Sequence, residues 1–390
     1  MNLKLENEKV VKDSLDDENE ILKYGQSICH LNNNLLEISI IKEININNQD
    51  KNVLLFGLFD GHNGLEVSKY LSLHFPQFFS ENSNFINGNY KKSLEETFIN
   101  LDDSLRSLQA KSELSKYSIN KEQKSILNEN ELFDEFLELF EPRNLKDVNI
   151  ADFCGSGGVV VLITEKNIFI ANSGSSKCVP INNKNEIIKE KINRQHMIND
   201  EYEIKRLNDN FQLKINNDDI NKNNDNKLKD KNKFINNFPL RTTRGFGDFQ
   251  YKDNKLIKLD DQYILTKPDI IEIPLEDLNY LIIGNYECFS NDNNTLSLEK
   301  FFLEQYTKNK DKKISSIIEE FFEKKIEEIQ KDNESEININ NMASIIIEFK
   351  HENNLNNINT ILFREDKKEI NDINDSSNKN TKSEDEEENL

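Results

Sequence analysis

The chain has 390 residues, 36% of them hydrophobic, and a formal net charge of −21 at pH 7. This charge argues against nucleic acid and anionic membrane as partners, because both are polyanions that repel an acidic protein. No apolar run reaches the roughly 18 residues of a membrane span, residue 2 is not the Gly that myristoylation requires, and the four cysteines lack CxxC spacing. We therefore expect a cytoplasmic or nuclear protein with free thiols.

Composition divides the chain into segments. Residues 1–20 are charged and aperiodic, which predicts a loose lead-in, and residues 208–237 are rich in Asn, Lys and Asp, which predicts a disordered insertion. Residues 351–390 carry eleven acidic residues against five Lys and Arg, a net charge of −6, which is typical of a solvated acidic tail. The remaining chain, 21–350, is predicted to form one domain around the insertion.

Within this domain, groups of strands are predicted to alternate with amphipathic helices. Runs of β-branched and aromatic residues bounded by Gly, Asn or Asp predict strands at 35–43, 52–59, 157–164, 167–172, 279–284 and 342–349. The third and fourth strands are separated by two residues, which predicts a β-hairpin. Helical periodicity predicts helices at 63–80, 91–112, 131–140, 297–307 and 314–330. The fold class is therefore α+β, with antiparallel sheets packed against helices rather than a doubly wound parallel sheet.

One predicted strand ends in residues that can carry chemistry. The sequence FGLFDGHNG at 56–64 places Asp60, Gly61 and His62 between a strand and a helix. An Asp-Gly pair at a strand end is a common turn, and an Asp before a helix can act as its N-cap. The same residues also suit a metal site if further carboxylates approach them, because hard divalent cations prefer oxygen ligands.

Five segments, in order along the chain, resemble the metal-dependent protein serine/threonine phosphatases of the PPM, or type 2C, family. FGLFDGHNG is similar to the family's FFGVFDGHGG, and residues 151–179 resemble its SGSTA and ANVGDSRAV segments. LRTTRGFGDFQYK at 240–252 is similar to its LAVSRAFGDFxxK, and NNMASIII at 340–347 falls where it has DNMTxIxV. Residues 24–38 occupy the position of its opening strand. The resemblance extends over nearly the whole predicted domain.

This resemblance implies a sandwich of two antiparallel β-sheets flanked by helices, with carboxylates at one end that hold two Mg²⁺ or Mn²⁺ ions. A hydroxide held by both ions would attack the phosphorus of a phosphoserine or phosphothreonine. By position, Asp60 is the bridging carboxylate, Gly61 offers a backbone carbonyl, and Glu37 is a further candidate ligand. His62 is a vestigial candidate for the acid that protonates the leaving alkoxide.

Most other site positions of the family lack a carboxylate in this chain. The expected ligand positions are lost at Ile38, Ser175, Tyr286, Ser290 and Asn340. Asn33 stands where the family has the arginine that grips the substrate phosphate, so no phosphate-binding residue is assigned. Glu287 would replace a lost ligand only if its loop shifted by one residue.

The number of carboxylates decides what the degraded site is expected to bind. Two divalent ions about 4 Å apart repel each other by about 17 kcal/mol at an effective dielectric constant of about 20. Two carboxylates do not offset this repulsion, so we expect no tightly bound cofactor and at most one weakly bound Mg²⁺ or Mn²⁺.

The expected function is a pseudophosphatase, meaning a protein-binding or regulatory module without efficient catalysis. Its expected partners are proteins, with phosphoproteins and kinases among the classes considered. One alternative is an active, divergent Mg²⁺- or Mn²⁺-dependent phosphatase that hydrolyses phosphoserine or phosphothreonine. A weaker alternative is that the insertion and the acidic tail carry the function and the domain only holds them.

Overall fold

The structure is a computed structural model, and it describes residues 10–31, 36–48, 51–118, 149–211, 240–252, 262–289, 296–332 and 340–350. These residues form two antiparallel β-sheets packed face to face, with helices against the outer face of each sheet. The α+β sandwich predicted from the sequence is confirmed.

The first sheet has the strand order β1-β2-β11-β10-β7, in which every neighbouring pair is antiparallel. Its strands are β1 (Val10–Glu18), β2 (Leu22–Leu31), β7 (Lys177–Asn182), β10 (Leu278–Gly284) and β11 (Met342–Phe349). The second sheet has the order β3-β4-β5-β6-β9, with β8 also paired to β5. Its strands are β3 (Ile38–Asn48), β4 (Lys51–His62), β5 (Gly155–Ile163), β6 (Asn167–Ser173), β8 (Phe246–Gly247) and β9 (Asp269–Pro274).

The apolar run of β5 shows how the sequence builds the layers. Successive side chains of a strand point to opposite faces, and both faces of this strand are covered. Val159 and Val161 pack in the core between the sheets, whereas Val160 and Leu162 pack against the helices on the other side. A continuous apolar run, rather than an alternating one, is therefore what this central position requires.

Helices cover each sheet on the side that faces away from the other. The second sheet is covered by α1 (Glu66–Ser80), α2 (Ser83–Ile86), α3 (Tyr90–Ser104) and α4 (Leu108–Tyr117). The first sheet is covered by α6 (Leu298–Lys308) and α7 (Ile314–Asp332), and α5 (Glu201–Phe211) follows β7 in the chain. The apolar stripe predicted on the last helix is buried in this layer, at Ile314, Ile317, Ile318, Phe321, Phe322 and Ile326.

The structure corrects the predicted lead-in at 1–20. Residues 10–18 form strand β1, which pairs with β2 along its whole length. The Asp16 carboxylate accepts a hydrogen bond from the Ser315 backbone N–H at 2.9 Å and another from the Ser315 hydroxyl. These contacts fix the strand against the start of α7, although its own sequence is too charged to predict a strand.

Other boundaries differ from the sequence prediction. The helix predicted at 91–112 is divided into α3 and α4, and the last turn of α5 occupies residues 208–211, the start of the predicted insertion. The short strands β7, β8 and β9 were not predicted. The helix predicted at 131–140, residues 212–237 of the insertion and the tail at 351–390 lie outside the described residues. In the described part of the chain, no helix combines the length and hydropathy of a membrane span.

Candidate functional site

The ends of two strands in the second sheet bring the first candidate residues together. Ile38, the first residue of β3, is paired with Asp60 near the end of β4. The Gly61 backbone N–H donates to the Glu37 carbonyl oxygen at 3.1 Å, which continues the pairing one residue beyond the strand. Glu37, Asp60 and Gly61 are thus neighbours.

The turn that follows Asp60 has little room for side chains. A Cβ on Gly61 would lie 2.5 Å from the Glu37 carbonyl oxygen, so a larger residue would separate the two strands. Asn63 and Gly64 both have a positive φ, of 58° and 139°, a conformation that Asn and Gly adopt most readily. This turn points the Gly64 N–H at the Glu37 carboxylate, to which it donates at 2.7 Å.

The first sheet contributes the opposite side of the site. Residues 286–288, directly after β10, form a short 3-10 turn, and Asn340 lies just before β11. Asn285 is 2% exposed, and its side-chain amide donates to the Asn341 carbonyl at 2.8 Å, which joins the end of β10 to the start of β11. The exposed Asn340 donates from Nδ2 to Glu287 Oε1 at 2.7 Å. Both hydrogen bonds thus connect the segment that follows β10 with the segment that precedes β11.

His62 is held by a partner that the sequence spacing did not predict. Its Nε2 lies 2.7 Å from Oδ2 of Asp248, a residue 186 positions away whose side chain is only 2% exposed. Burial alone would lower the pKa of His62, but the Asp248 carboxylate outweighs this through its charge and its hydrogen bond, so the pKa is raised. Asp248 therefore fixes the ring of His62.

The remaining carboxylates influence one another. Burial raises the pKa of Asp60 to about 7, and the charges of Glu37 and Glu287 add to this while His62 opposes it. Burial also raises the pKa of Glu37, against the hydrogen bond from Gly64 and the charge of His62. The charges of both glutamates thus make ionisation of Asp60 less favourable.

Comparison with known proteins agrees with this arrangement. The model of the protein phosphatase 2C family matches residues 26–119 and 111–285. The chain belongs to this family. Among its relatives is the probable protein phosphatase 2C 6 of Paramecium tetraurelia, which is 25% identical over 344 residues that cover 88% of this chain and 97% of the relative. The probable protein phosphatase 2C 21 of Arabidopsis thaliana is 26% identical over 376 residues, 90% of this chain and 93% of the relative.

A solved structure supports the fold independently. The crystal structure of a phosphatase from a pathogenic strain of Toxoplasma gondii has a TM-score of 0.54 and 12% sequence identity to this chain. The alignment covers 87% of this chain and 96% of that one. At this identity the likeness establishes the type 2C fold, and the site has to be assessed from its own residues.

The residues that replace the type 2C ligands differ in how deeply they are buried. Ile38 is 3% exposed and packs in the core between the sheets, so its side chain contributes to the core. Ser175 and Tyr286 are partly buried, and Asn340 is exposed and bonded to Glu287. Ser290 and Asn33 lie outside the described residues.

The loop that carries Ser175 is fixed without a metal-binding aspartate. Gly174 has a φ of 130°, and a Cβ there would lie 2.7 Å from the Gly157 Cα. The Gly174 N–H donates to Nδ1 of His196 at 3.2 Å, and the Gln195 amide donates to the Ser175 carbonyl at 2.5 Å. These polar contacts come from the segment after β7, which the sequence analysis had not connected with the site.

Among the described residues, the donor set does not match that of a type 2C binuclear centre. Glu37 and Glu287 each already accept a hydrogen bond from an N–H group of this chain. Within the described ranges, no group of three or more His, Cys, Asp or Glu side chains is arranged so that it could hold a metal ion. Two divalent ions carry four positive charges, and the three carboxylates supply at most three negative ones.

Proposed function

We propose that this type 2C protein is a pseudophosphatase, a protein-binding or regulatory module without efficient phosphatase activity. The observation that supports the proposal is the replacement of ligand carboxylates by Ile38, Ser175, Tyr286 and Asn340, at a site whose strands and turns otherwise keep the type 2C arrangement. A fold that is kept while its charged ligands are exchanged is consistent with selection for shape rather than for hydrolysis.

The physical reason lies in the first step of the reaction. Metal-dependent phosphoester hydrolysis needs a bound water that is acidified enough to act as a hydroxide, and in two-metal sites both ions share this task. The repulsion between two such ions, about 17 kcal/mol at 4 Å and a dielectric constant of about 20, requires several converging carboxylates. We therefore propose at most one weakly held Mg²⁺ or Mn²⁺, near Asp60 and Gly61.

The partners proposed for this module are proteins in the cytoplasm or nucleus. A phosphatase surface that once received phosphorylated chains favours phosphoproteins and the kinases that produce them. The net charge of −21 opposes nucleic acid and anionic membrane. The insertion and the acidic tail are additional regions through which such partners can be recruited.

An active, divergent phosphatase is the second candidate function. Asp60, Gly61 and His62 are all present, and His62 is rigidly paired with Asp248 at 2.7 Å. A positioned imidazole is a common way to deliver a proton to a leaving group. Under this alternative, Glu37 and Glu287 would exchange their present hydrogen bonds for metal coordination.

The experiment that decides between the two functions measures hydrolysis of a phosphoserine or phosphothreonine peptide in millimolar Mn²⁺. The wild-type chain and Asp60→Ala are compared at the same concentration, with phosphate release as the readout. We expect no activity above that of Asp60→Ala. Turnover by the wild type that disappears in Asp60→Ala would establish the active alternative and identify Asp60 as a ligand.

A further inference from the structure

The edge strand β9 borders a groove that is separate from the candidate site. A cavity of 510 Å³ lies beside this strand, between the start of α3 and the 3-10 turn at residues 189–191. Ile270, Ile271 and Pro274 of β9 form its apolar part, and Lys91 and Lys191 belong to its two walls. In the part of the chain that the structure describes, β9 pairs with β6 alone.

The backbone of β9 presents hydrogen-bonding groups to this groove. Backbone groups of alternate residues in a strand point to opposite edges. The Leu275 N–H donates to the Lys166 carbonyl at 2.8 Å, on the side of β6, whereas the Glu272 carbonyl accepts from Lys191 Nζ at 3.0 Å on the other side. The N–H and carbonyl of Ile270, two residues before Glu272, therefore also point to the free edge. An additional strand finds pairing partners there, and strand addition to a sheet edge is a recurring mode of peptide recognition.

The charges along the groove favour an anionic side chain on the incoming strand. Lys191 donates to a carbonyl, and among the described residues it forms no ion pair, so its charge is not neutralised. Lys91 pairs with Glu272 at 2.8 Å, but the two side chains are 56% and 36% exposed, and such pairs are weak. Glu190, the other acidic residue of the groove, is exposed to water. The formal charge of the groove is thus zero, on a chain of net charge −21.

The two walls restrict what can bind at this edge. Tyr90, at the start of α3, packs with the core on the outer face of the second sheet, and Ile188, before the 189–191 turn, packs with the core between the sheets. The walls therefore stand on opposite faces of β9. A second copy of this chain would bring its own two walls to the same edge, where they would collide with these. A single extended segment has no such walls.

From this geometry we infer that the edge of β9 binds an extended segment of a partner protein as an additional strand and pairs an anionic side chain of that segment with Lys191. The inference rests on the proposed function, because it names a surface and a partner class for the protein-binding module. On binding, the Glu272 carbonyl accepts an N–H of the new strand in place of Lys191, whose ammonium group turns to the anion. This anion is a carboxylate or a phosphate, which share the required chemistry.

The test is binding of fluorescein-labelled peptides of about eight residues to the full-length chain, measured by fluorescence anisotropy in about 150 mM NaCl. One peptide alternates Val with Glu, a second alternates Val with phosphoserine, and a third alternates Val with Gln. We expect both anionic peptides to bind about tenfold or more tightly than the Gln peptide, and the tighter of the two identifies the preferred anion. Methylation of alternate backbone nitrogens of the Glu peptide blocks strand pairing and should weaken its binding about tenfold.

Lys191→Gln is the site variant. It should weaken binding of the Glu peptide about tenfold and leave binding of the Gln peptide unchanged, because it removes the ammonium group that meets the anion. Lys189→Gln is the matched control. Lys189 is exposed in the same turn, outside the residues that line the groove, and its replacement removes the same charge. This control should change the affinity by less than about threefold.

The inference is wrong if the three peptides bind equally, if backbone methylation has no effect, or if Lys191→Gln binds the Glu peptide as well as the wild type does. It is also wrong if Lys191→Gln binds more tightly, because Lys191 would then only shield the edge from other strands.

Two further outcomes would assign the groove to another occupant and overturn the inference. A wild-type dimer in light scattering that the Glu peptide dissociates would make a second copy the occupant. Deletion of residues 351–390 that raises the peptide affinity about tenfold would make the acidic tail the occupant. Phosphate release in the phosphopeptide assay contradicts the proposed function whatever the anisotropy shows. An inactive protein that fails these binding tests contradicts only the inference.

Discussion

A glycine beside His62 leaves the space that the hydrogen bond between His62 and Asp248 occupies. Gly155, the first residue of β5, is paired with His62 in the sheet. A Cβ at this position would lie 2.1 Å from Oδ2 of Asp248 and 2.5 Å from Nε2 of His62, well inside van der Waals contact. The hydrogen bond between His62 and Asp248 therefore requires a glycine here. The requirement is steric, since no positive φ is needed at this residue.

Substitution of this glycine tests the buried pair directly. Gly155→Ala should lower the free energy of unfolding by about 2 kcal/mol, because the added Cβ would force the buried Asp248 and its partner His62 to shift. Gly157→Ala, two residues further along the same strand, is the matched control, since its nearest contact would be an ordinary 3.5 Å. Urea denaturation of both variants gives the comparison. Equal stability of Gly155→Ala and Gly157→Ala would show that the pair can shift at little cost.

Between elements, a buried ionic network connects α5 to β9 and to the loop that carries Ser175. Glu203 of α5 is fully buried and accepts from Arg244 at 2.6 and 3.0 Å, and Arg244 also donates to Asp269 at 2.9 Å. His196 completes the network, with its Nε2 3.1 Å from Asp269 and its Nδ1 accepting from Gly174. The network thus links chain segments on both sides of the Asn-rich insertion.

The charges in this network predict how stability depends on pH. Burial lowers the pKa of His196, against the opposing effect of Asp269, so the ring stays neutral when folded. In the unfolded chain the ring gains a proton below its ordinary pKa of about 6.5, so its contribution to stability is lost as the pH falls through that value. Burial alone would raise the pKa of Asp269, but its contacts with His196 and Arg244 outweigh burial and lower it. Burial would likewise raise the pKa of Glu203, and Arg244 is the main group that lowers it. Both carboxylates therefore stabilise the fold at neutral pH, and their contribution to stability is lost only as the pH falls below about 4.

Replacement of His196 isolates its part of this dependence. The difference in unfolding free energy between the wild type and His196→Gln should become smaller as the pH is lowered from 7.5 to 5.5, because only the wild type loses the His196 contribution. Urea denaturation at a series of pH values measures it, with His74→Gln, at the contact between α1 and α4, as the control. A difference that stays constant or widens with falling pH would contradict a neutral buried His196.

For the molecule as a whole, the sequence predicted the central strands and the edge strand β3, and it missed the edge strands β1, β7 and β9. The runs around Val159 and Ile345 are apolar because both of their faces are covered, and such runs are easily read from sequence. Strand β1 is charged because it lies at the edge of its sheet, and β7 contains Pro180, so neither has the composition of a buried strand. The elements that pack against these two strands come from distant parts of the chain, so local sequence patterns do not predict the strands.

For the candidate site, the sequence predicted the residues within motifs but not the contacts between distant segments. The family motifs single out Glu37, Asp60 and Gly61, and the structure places them next to one another through the pairing of β3 with β4. Other contacts at the site, such as the 2.7 Å hydrogen bond between His62 and Asp248, join residues 186 positions apart in sequence. They follow from the pairing of β8 with β5, which local patterns do not predict.

The last test restores carboxylates at the type 2C ligand positions where this chain has other residues. The combined variant Ile38→Asp, Tyr286→Asp and Asn340→Asp should bind Mn²⁺ about tenfold or more tightly than the wild type in titration calorimetry. The added carboxylates lower the repulsion between ions, while the buried Ile38 position makes the variant less stable in EDTA. Phosphopeptide turnover should stay absent at this stage.

Turnover should appear only when Asn33→Arg is added, because an arginine grips a phosphate with two parallel hydrogen bonds that the shorter, neutral Asn cannot make. The order of the two gains is the informative result, since a metal must be held before it can generate a hydroxide. Asn33→Arg alone serves as the control and should change neither Mn²⁺ affinity nor activity. If it alone produced turnover in Mn²⁺, the existing carboxylates would suffice for catalysis, and the loss of function would lie in phosphate binding rather than in the metal site.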